Sequence, residues 1–333
     1  MNQLPRNTIL VGDALDRLRQ LPTGSVDVCV TSPPYYLLRN YGVRGQLGLE
    51  TTVDGWVQRL RSVLAEVARV LRPTGSLWLN LADSYSRHVR YGGPAKSLLL
   101  GPERLLVALA SDGWIVRNKV VWSKPNPMPT SVGDRLNTTH EVVYFLTRSR
   151  QYFFDLDAIR EPHTTARGRK SAKPIGKAPV WAGPLAGSQD GLRRARAAGM
   201  PGHPLGKNPG DVWRIATHGF RGAHFATFPE ALVRRPILAT CPEAVCITCG
   251  QAWRRERGSA RTGVRAACAC GSATKPGVVL DPFMGTGTVG VVAQSHGRDW
   301  IGIELNPAYV RLARRRLGQG VPGDRPALAR LAA

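Results

Sequence analysis

Three groups of residues in this chain could do chemistry by type and spacing. The first is Thr31-Ser32-Pro33-Pro34-Tyr35-Tyr36, which follows the apolar run "VDVCV". Proline cannot donate to a sheet ladder, so the strand stops there, and two prolines fix φ in the turn that follows. A strand-ending turn needs no more than that. A rigid turn that also presents a hydroxyl and an aromatic ring can hold a planar substrate.

The second group lies in "VVLDPFMGTGTVGVVAQ", a strand, then Asp281, then Gly285 and Gly287, then a helix. Glycines at such a turn let a ligand approach the backbone. The carboxyl end of a strand is where open α/β sheets bind ligands. The next strand, "WIGIE", ends in Glu304, at the distance where a Rossmann-like fold places the acid that binds ribose hydroxyls. The dinucleotide fingerprint is incomplete, and no Gly-Lys-Ser/Thr follows for a P-loop. The pattern therefore favours a nucleoside cofactor without a pyrophosphate, such as S-adenosylmethionine, with its amino-acid end near Asp281 and the glycines.

The third group is Cys246-x-x-Cys249 and Cys268-x-Cys270, two close pairs each followed by glycine. In a chain with no sign of export this spacing points to a zinc ribbon, with four thiolates closing a structural site. The Cys-x-Cys pair is tighter than usual. Cys241 is spare, and Cys29 is expected to be a small buried hydrophobe inside its strand. Between the pairs lie several arginines, so the knuckle is either a phosphate contact or a structural staple.

The elements that must position these groups alternate. "NTILVGDALDRLRQL" predicts a strand, a turn and a helix; "SVDVCVT" a second strand; "VDGWVQRLRSVLAEVARVL" a helix with Trp56, Leu60, Val63, Leu64, Val67 and Leu71 on one stripe. Further strands, and a helix closed by Gly113, imply a doubly wound α/β sheet. From about Glu161 to Gly210 the periodicity fails and Gly, Pro, Ala and Arg dominate. This stretch is a linker, or a basic segment that orders on nucleic acid. The chain has 46 Lys and Arg against 23 Asp and Glu, a net charge of +23 spread over its length, which favours a polyanionic partner. No apolar run is long enough for a membrane span and no signal peptide precedes the first strand, so a soluble cytoplasmic protein is expected.

Together "TSPPYY" and "DPFMGTGT" resemble the signatures of the amino-group DNA methyltransferases that act on cytosine N4 or adenine N6. Their order is that of the permuted beta class, in which the catalytic motif precedes the cofactor motif. The resemblance covers most of residues 7–155 and 211–318. It implies a Rossmann-like, circularly permuted methyltransferase fold with a seven-stranded mixed sheet, one strand antiparallel. It implies S-adenosylmethionine as cofactor and double-stranded DNA as partner, with a cognate restriction endonuclease possible; the oligomeric state stays open. By position, Asp281, Phe283, Gly285 and Gly287 match the cofactor loop, Glu304 the ribose acid, Asp13 a place near the adenine, and Phe225 a further pocket element.

In that family the side chain of Ser32 and the carbonyl of Pro33 would accept the target's amino hydrogens, Pro34 would stiffen the loop, and Tyr35 would stack on a flipped base. Ser32, where Asp marks mostly adenine enzymes, leans toward cytosine N4, with adenine N6 the alternative. A catalytically inactive DNA-binding zinc protein on the same fold is the rival of another class. The expected organisation is a catalytic half (1–155), a candidate target-recognition segment (156–210), a return to the sheet (211–245), the zinc-ribbon insert (246–275), the cofactor half (276–320) and a flexible tail (321–333).

Overall fold

The computed structural model describes residues 4–163, 203, 205–217, 227–255 and 263–320. In chain order the main elements are β1 (Thr8–Val11), α1 (Ala14–Arg19), β2 (Val26–Thr31), α2 (Val53–Val70), β3 (Leu71–Leu81), α3 (Gly101–Ser111), β4 (Ile115–Ser123), β5 (His140–Thr147) and β6 (Val212–Arg214). After these come α4 (Glu230–Thr240), four two-residue strands β7 to β10 within 245–275, β11 (Val278–Asp281), α5 (Thr288–Ser295), β12 (Asp299–Glu304) and α6 (Pro307–Arg316).

The main sheet runs β1-β12-β11-β2-β3-β5-β4-β6. Only β5 is antiparallel to its neighbours, β3 and β4. The expected seven strands are eight: Val212–Arg214 adds a parallel edge strand beside β4. Trp213 anchors it, buried within 6.0 Å of the Trp78 ring. Three residues with one inward side chain give too short a periodic signal to be seen as a strand in sequence.

Both faces of the sheet are covered, so its strands are apolar on both sides. Cys29, Leu77, Leu79, Leu280 and Ile303 face α1, α2 and α3, whose Leu18, Trp56, Leu60, Leu64 and Leu105 are buried there. Val28, Val30, Trp78, Phe145 and Val279 face the opposite way, against Val233 and Ile237 of α4, Val289 and Val292 of α5, and Val310 of α6. Leu71, expected on the α2 stripe, instead opens β3. Its ψ of 138° ends the helix, because the position two residues ahead of Pro73 already turns extended and Arg72 is barred from helical geometry.

Residues distant in sequence meet at the sheet centre. β11 from the end of the chain lies beside β2 from its beginning, with Val279 and Leu280 paired to Val28 and Cys29. The first strand pairs with the last, and Gln319 Nε2 donates to the Asn7 carbonyl at 2.7 Å. The permuted order thus leaves the sheet contacts intact. The C-terminal ends of β1, β12, β11, β2 and β3 all open on one edge, and residues 241–255 and 263–277 lie at the other.

Candidate active site

At the carboxyl edge the loops after β1, β2, β11 and β12 enclose a cleft with a cavity volume of about 110 Å³. Asp13, Ser32, Pro34, Phe283, Gly285 and Glu304 line it together. The residues expected from both motifs therefore converge. Asp13 is also the N-cap of α1: its Oδ1 accepts from Leu15 and Asp16 backbone N–H groups at 2.8 and 3.2 Å.

Glu304 ends β12 and reaches under the glycine loop. Its Oε2 accepts from Gly285 N–H and its Oε1 from Asn306 N–H, both at 2.7 Å. Burial raises its pKa, and those backbone bonds pull the other way. The carboxylate also lines the cleft. Met284 packs under this loop so tightly that a Cβ on Gly302 would sit 1.7 Å from its sulfur.

Not every expected cofactor residue faces the cleft. Asp281 is 2% exposed and sits behind it, where Oδ1 accepts from Thr31 Oγ1 at 2.7 Å and from Phe283 N–H at 3.0 Å. Burial pushes its carboxyl up to about 7. Gly287 starts α5 in the left-handed region and packs against Ala313 of α6, where a Cβ would come within 3.1 Å. Its part is helix packing. Phe225 lies outside the described residues, as do most of the 156–210 segment and the 321–333 tail.

The segment after Tyr36 covers the cleft, which the sequence reading missed. Tyr41, Val43, Gln46 and Leu47 line the cleft from above, and Tyr41 meets Tyr309 edge-on at 6.2 Å. Gly48, at φ +95°, brings the segment back against the Tyr35 carbonyl, and Leu37 N–H donates to the Gly48 carbonyl at 2.8 Å.

The Ser-Pro-Pro-Tyr turn is held from below. Trp56 Nε1 donates to the Pro34 carbonyl at 2.9 Å. Tyr35 donates its hydroxyl proton to Glu141 Oε2 at 2.6 Å and lies 3.0 Å from Ser32 Oγ. Asn80 Nδ2 donates to both Tyr35 Oη and Glu141 Oε2 at 2.7 Å. Lys124 pairs with the other Glu141 oxygen. Burial, then the adjacent Glu141 carboxylate, holds the Tyr35 phenol well above its ordinary range. Asn80 and Glu141 went unnoticed in the sequence; the signal was a polar residue inside the buried strand "LWLNL" and an acid opening the buried strand "HEVVYFLT".

A thiol nucleophile is absent from this edge among the described residues. Cys29 is fully buried within β2, and burial raises its thiol well above the ordinary range. Base chemistry through a cysteine adduct is excluded at that residue.

The cleft lining suits a cationic nucleoside. It contains two carboxylates and, among the described residues, no lysine or arginine to meet a pyrophosphate. A doubly wound sheet with an acid at the end of the strand next to a glycine loop, and no cation for a pyrophosphate, fits an S-adenosylmethionine-dependent transferase. The chain belongs to the DNA methylase family, whose model matches residues 26–315.

Among its relatives, the type II methyltransferase M.XycI of Xanthomonas campestris pv. cyanopsidis is 38% identical over 93% of this chain and 87% of its own. M.Cfr9I of Citrobacter freundii is 36% identical with the same coverage. Of solved structures, the PvuII cytosine-N4-specific DNA methyltransferase shares the fold at a TM-score of 0.59 and 18% identity, over 94% of this chain and 87% of that one. The Thermus thermophilus protein TTHA0409, complexed with S-adenosyl-L-methionine, does so at 0.53 and 22%, over 95% of each chain. The protein is an S-adenosylmethionine-dependent DNA methyltransferase of the amino-group type.

The four cysteines of the insert also converge. Cys246, Cys249, Cys268 and Cys270 have Sγ atoms all within 4.8 Å of one another. Cys241 is buried apart from them, in the core beside Ile237. The insert packs on the edge away from the cleft. Arg72 donates to the Gly250 carbonyl at 3.4 Å and pairs with Asp27 at 3.1 Å. Arg255 bridges Asp155 and Glu243.

Proposed function

We propose that the protein methylates the N4 amino group of cytosine in double-stranded DNA. The observation that carries this reading is Ser32, a neutral hydroxyl at the end of β2, lining the cleft beside the cofactor loop at the end of β11. The PvuII enzyme, cytosine-N4-specific by name, is consistent with it.

S-adenosylmethionine, when bound, supplies a methyl group on a positively charged sulfur. The chain's part is to make a poor nucleophile ready. An exocyclic amine delocalises its lone pair into the base ring. Ser32 Oγ and the Pro33 carbonyl accept its hydrogens and draw it toward tetrahedral geometry. The Pro34 carbonyl is engaged by Trp56, whereas the Pro33 carbonyl accepts no hydrogen bond among the described residues. With the cofactor bound, the amine so held would take the methyl group as the sulfonium becomes a neutral thioether, and the surplus proton on nitrogen would pass to solvent. Glu304 would hold the ribose hydroxyls, Asp13 would flank the adenine, Phe283 and Gly285 would shape the floor, and Asp281 braces the loop. Tyr35 stacks on the flipped base. The loop is fixed before binding, so little ordering is needed at reaction.

The basic 156–210 segment would carry target recognition, with Arg and Lys mostly on phosphate. The relatives' designation as type II methyltransferases supports pairing with a restriction endonuclease in the cytoplasm. The thiol cluster would hold one structural zinc. Its place on the far edge, wedged by Arg72 and Arg255, favours a staple over a phosphate contact.

Nucleoside analysis of DNA from cells expressing the protein tests the reading. N4-methylcytosine is the expected product; N6-methyladenine in its place would move the assignment to adenine.

A further inference from the structure

We propose that Glu141, braced by Lys124, is a positioning residue that fixes the direction of the hydrogen-bond chain through Tyr35 so that Ser32 Oγ meets the target base as an acceptor. The proposal rests on the reading of Ser32 above. A serine hydroxyl can donate or accept, so something must choose.

The choice follows from counting protons. An ionised carboxylate only accepts and an ammonium only donates. Lys124 Nζ takes Glu141 Oε1, leaving Oε2 to accept from Tyr35 at 2.6 Å and Asn80 at 2.7 Å. The single phenolic proton of Tyr35 is thus committed to Glu141. Toward Ser32, 3.0 Å away, Tyr35 can only accept, and Ser32 must donate. The serine proton is drawn inward and its lone pairs are left facing out. Asn80 Nδ2 reaches Ser32 Oγ only at 3.4 Å, having spent its two hydrogens on closer acceptors. Both serine lone pairs therefore stay free to accept from the base amine.

Lys124 and Asn80 are confined by their surroundings. Lys124 is fixed by its N–H to the Thr139 carbonyl at 2.9 Å and lies 4.7 Å over the Trp122 ring. Asn80 is 4% exposed. A carboxylate at position 32 would need no such device, since it has no proton to misplace.

Glu141→Gln tests the direction. Lys124 will hold the amide oxygen, which turns the NH₂ toward Tyr35 and reverses the chain, so that Tyr35 donates into Ser32. The rate constant for methyl transfer should fall by roughly 10- to 100-fold, the size of one or two lost hydrogen bonds, with cofactor affinity unchanged. Adding Lys124→Met frees the amide to turn its oxygen to Tyr35, and part of the lost rate should return. Tyr35→Phe, which cuts the chain but keeps the ring, should slow transfer less than Glu141→Gln.

A double variant no faster than Glu141→Gln overturns the proposal, as does Tyr35→Phe at the wild-type rate should the glutamine variant not fold. Ser32→Ala separates the two levels. If it is inactive while Glu141→Gln is normal, only the chain fails; if it is fully active, the role of Ser32 fails with it.

Discussion

Thr31 Oγ1 donates to Asp281 Oδ1 at 2.7 Å, joining the last residue of β2 to the last of β11 across 250 positions of sequence. This bond fastens the turn that begins at Ser32 to the loop that carries Phe283 and Gly285. Its acceptor is buried and pushed up to about 7. The folded protein therefore keeps a proton on Asp281 that the unfolded chain releases above its ordinary 3.8. Stability from this group is greatest at low pH and declines as pH rises from about 4 to 7. Asp281→Asn keeps an oxygen for Thr31 and Phe283 but cannot titrate. Its melting temperature should vary less with pH than wild type over that window and exceed it at pH 8. The gain is about 4 kcal/mol at most, taking about 1.4 kcal/mol per tenfold. Denaturant unfolding at pH 5 and 8 checks the sign; parallel pH curves would contradict it.

Tyr35→Ala should abolish methyl transfer while leaving cofactor affinity within about twofold, because the residue does not line the cofactor cleft. Single-turnover kinetics and equilibrium binding read the two separately. A normal rate would remove any role for the ring.

Glu304→Ala should weaken cofactor binding by roughly 10- to 100-fold, the worth of one hydrogen bond to a charged acceptor. It also strips Gly285 and Asn306 of their partner. Calorimetric titration with the demethylated cofactor product measures it, and an unchanged affinity would place the ribose elsewhere.

Metal analysis should find one zinc per chain. Removal by a chelator should lower the melting temperature by more than roughly 5 °C, since a loss of about 1 kcal/mol shifts a domain of this size by about 2–4 °C. Below that transition, the rate of methyl transfer should stay within about twofold, because the insert lies on the far edge of the sheet. A metal-free protein with the same transition would dismiss the staple.

Gly302→Ala places a methyl group where Met284 sits. The cofactor loop must lift, so both stability and cofactor affinity should fall, by a few kcal/mol for an overpacked core site. Thermal melts with and without cofactor distinguish the two losses.

The alternation of strands and helices, the two motif turns and the acid at Glu304 were legible in sequence because each is local. A strand followed by Ser-Pro-Pro, or by Asp-Pro-Phe-Met-Gly, announces its own geometry. Asp13 and Asp281 were legible only in part. Sequence placed both near the ligand: Asp13 does line the cleft while capping α1, whereas Asp281 sits behind it and braces two strands. Lys124, Glu141 and Asn80 were hidden, because their meaning lies in cross-strand register between β3, β5 and β4. The cover formed by Tyr41 and Gln46 was hidden too, since a polar, glycine-rich stretch has no period to interpret.

Glu161 and Lys207 exchange backbone hydrogen bonds at 2.8 and 3.0 Å. The chain therefore leaves the sheet for the basic segment and re-enters it through a single doorway. On the proposed reading of that segment, exchanging it at these two residues between relatives of different specificity should carry the DNA address with it.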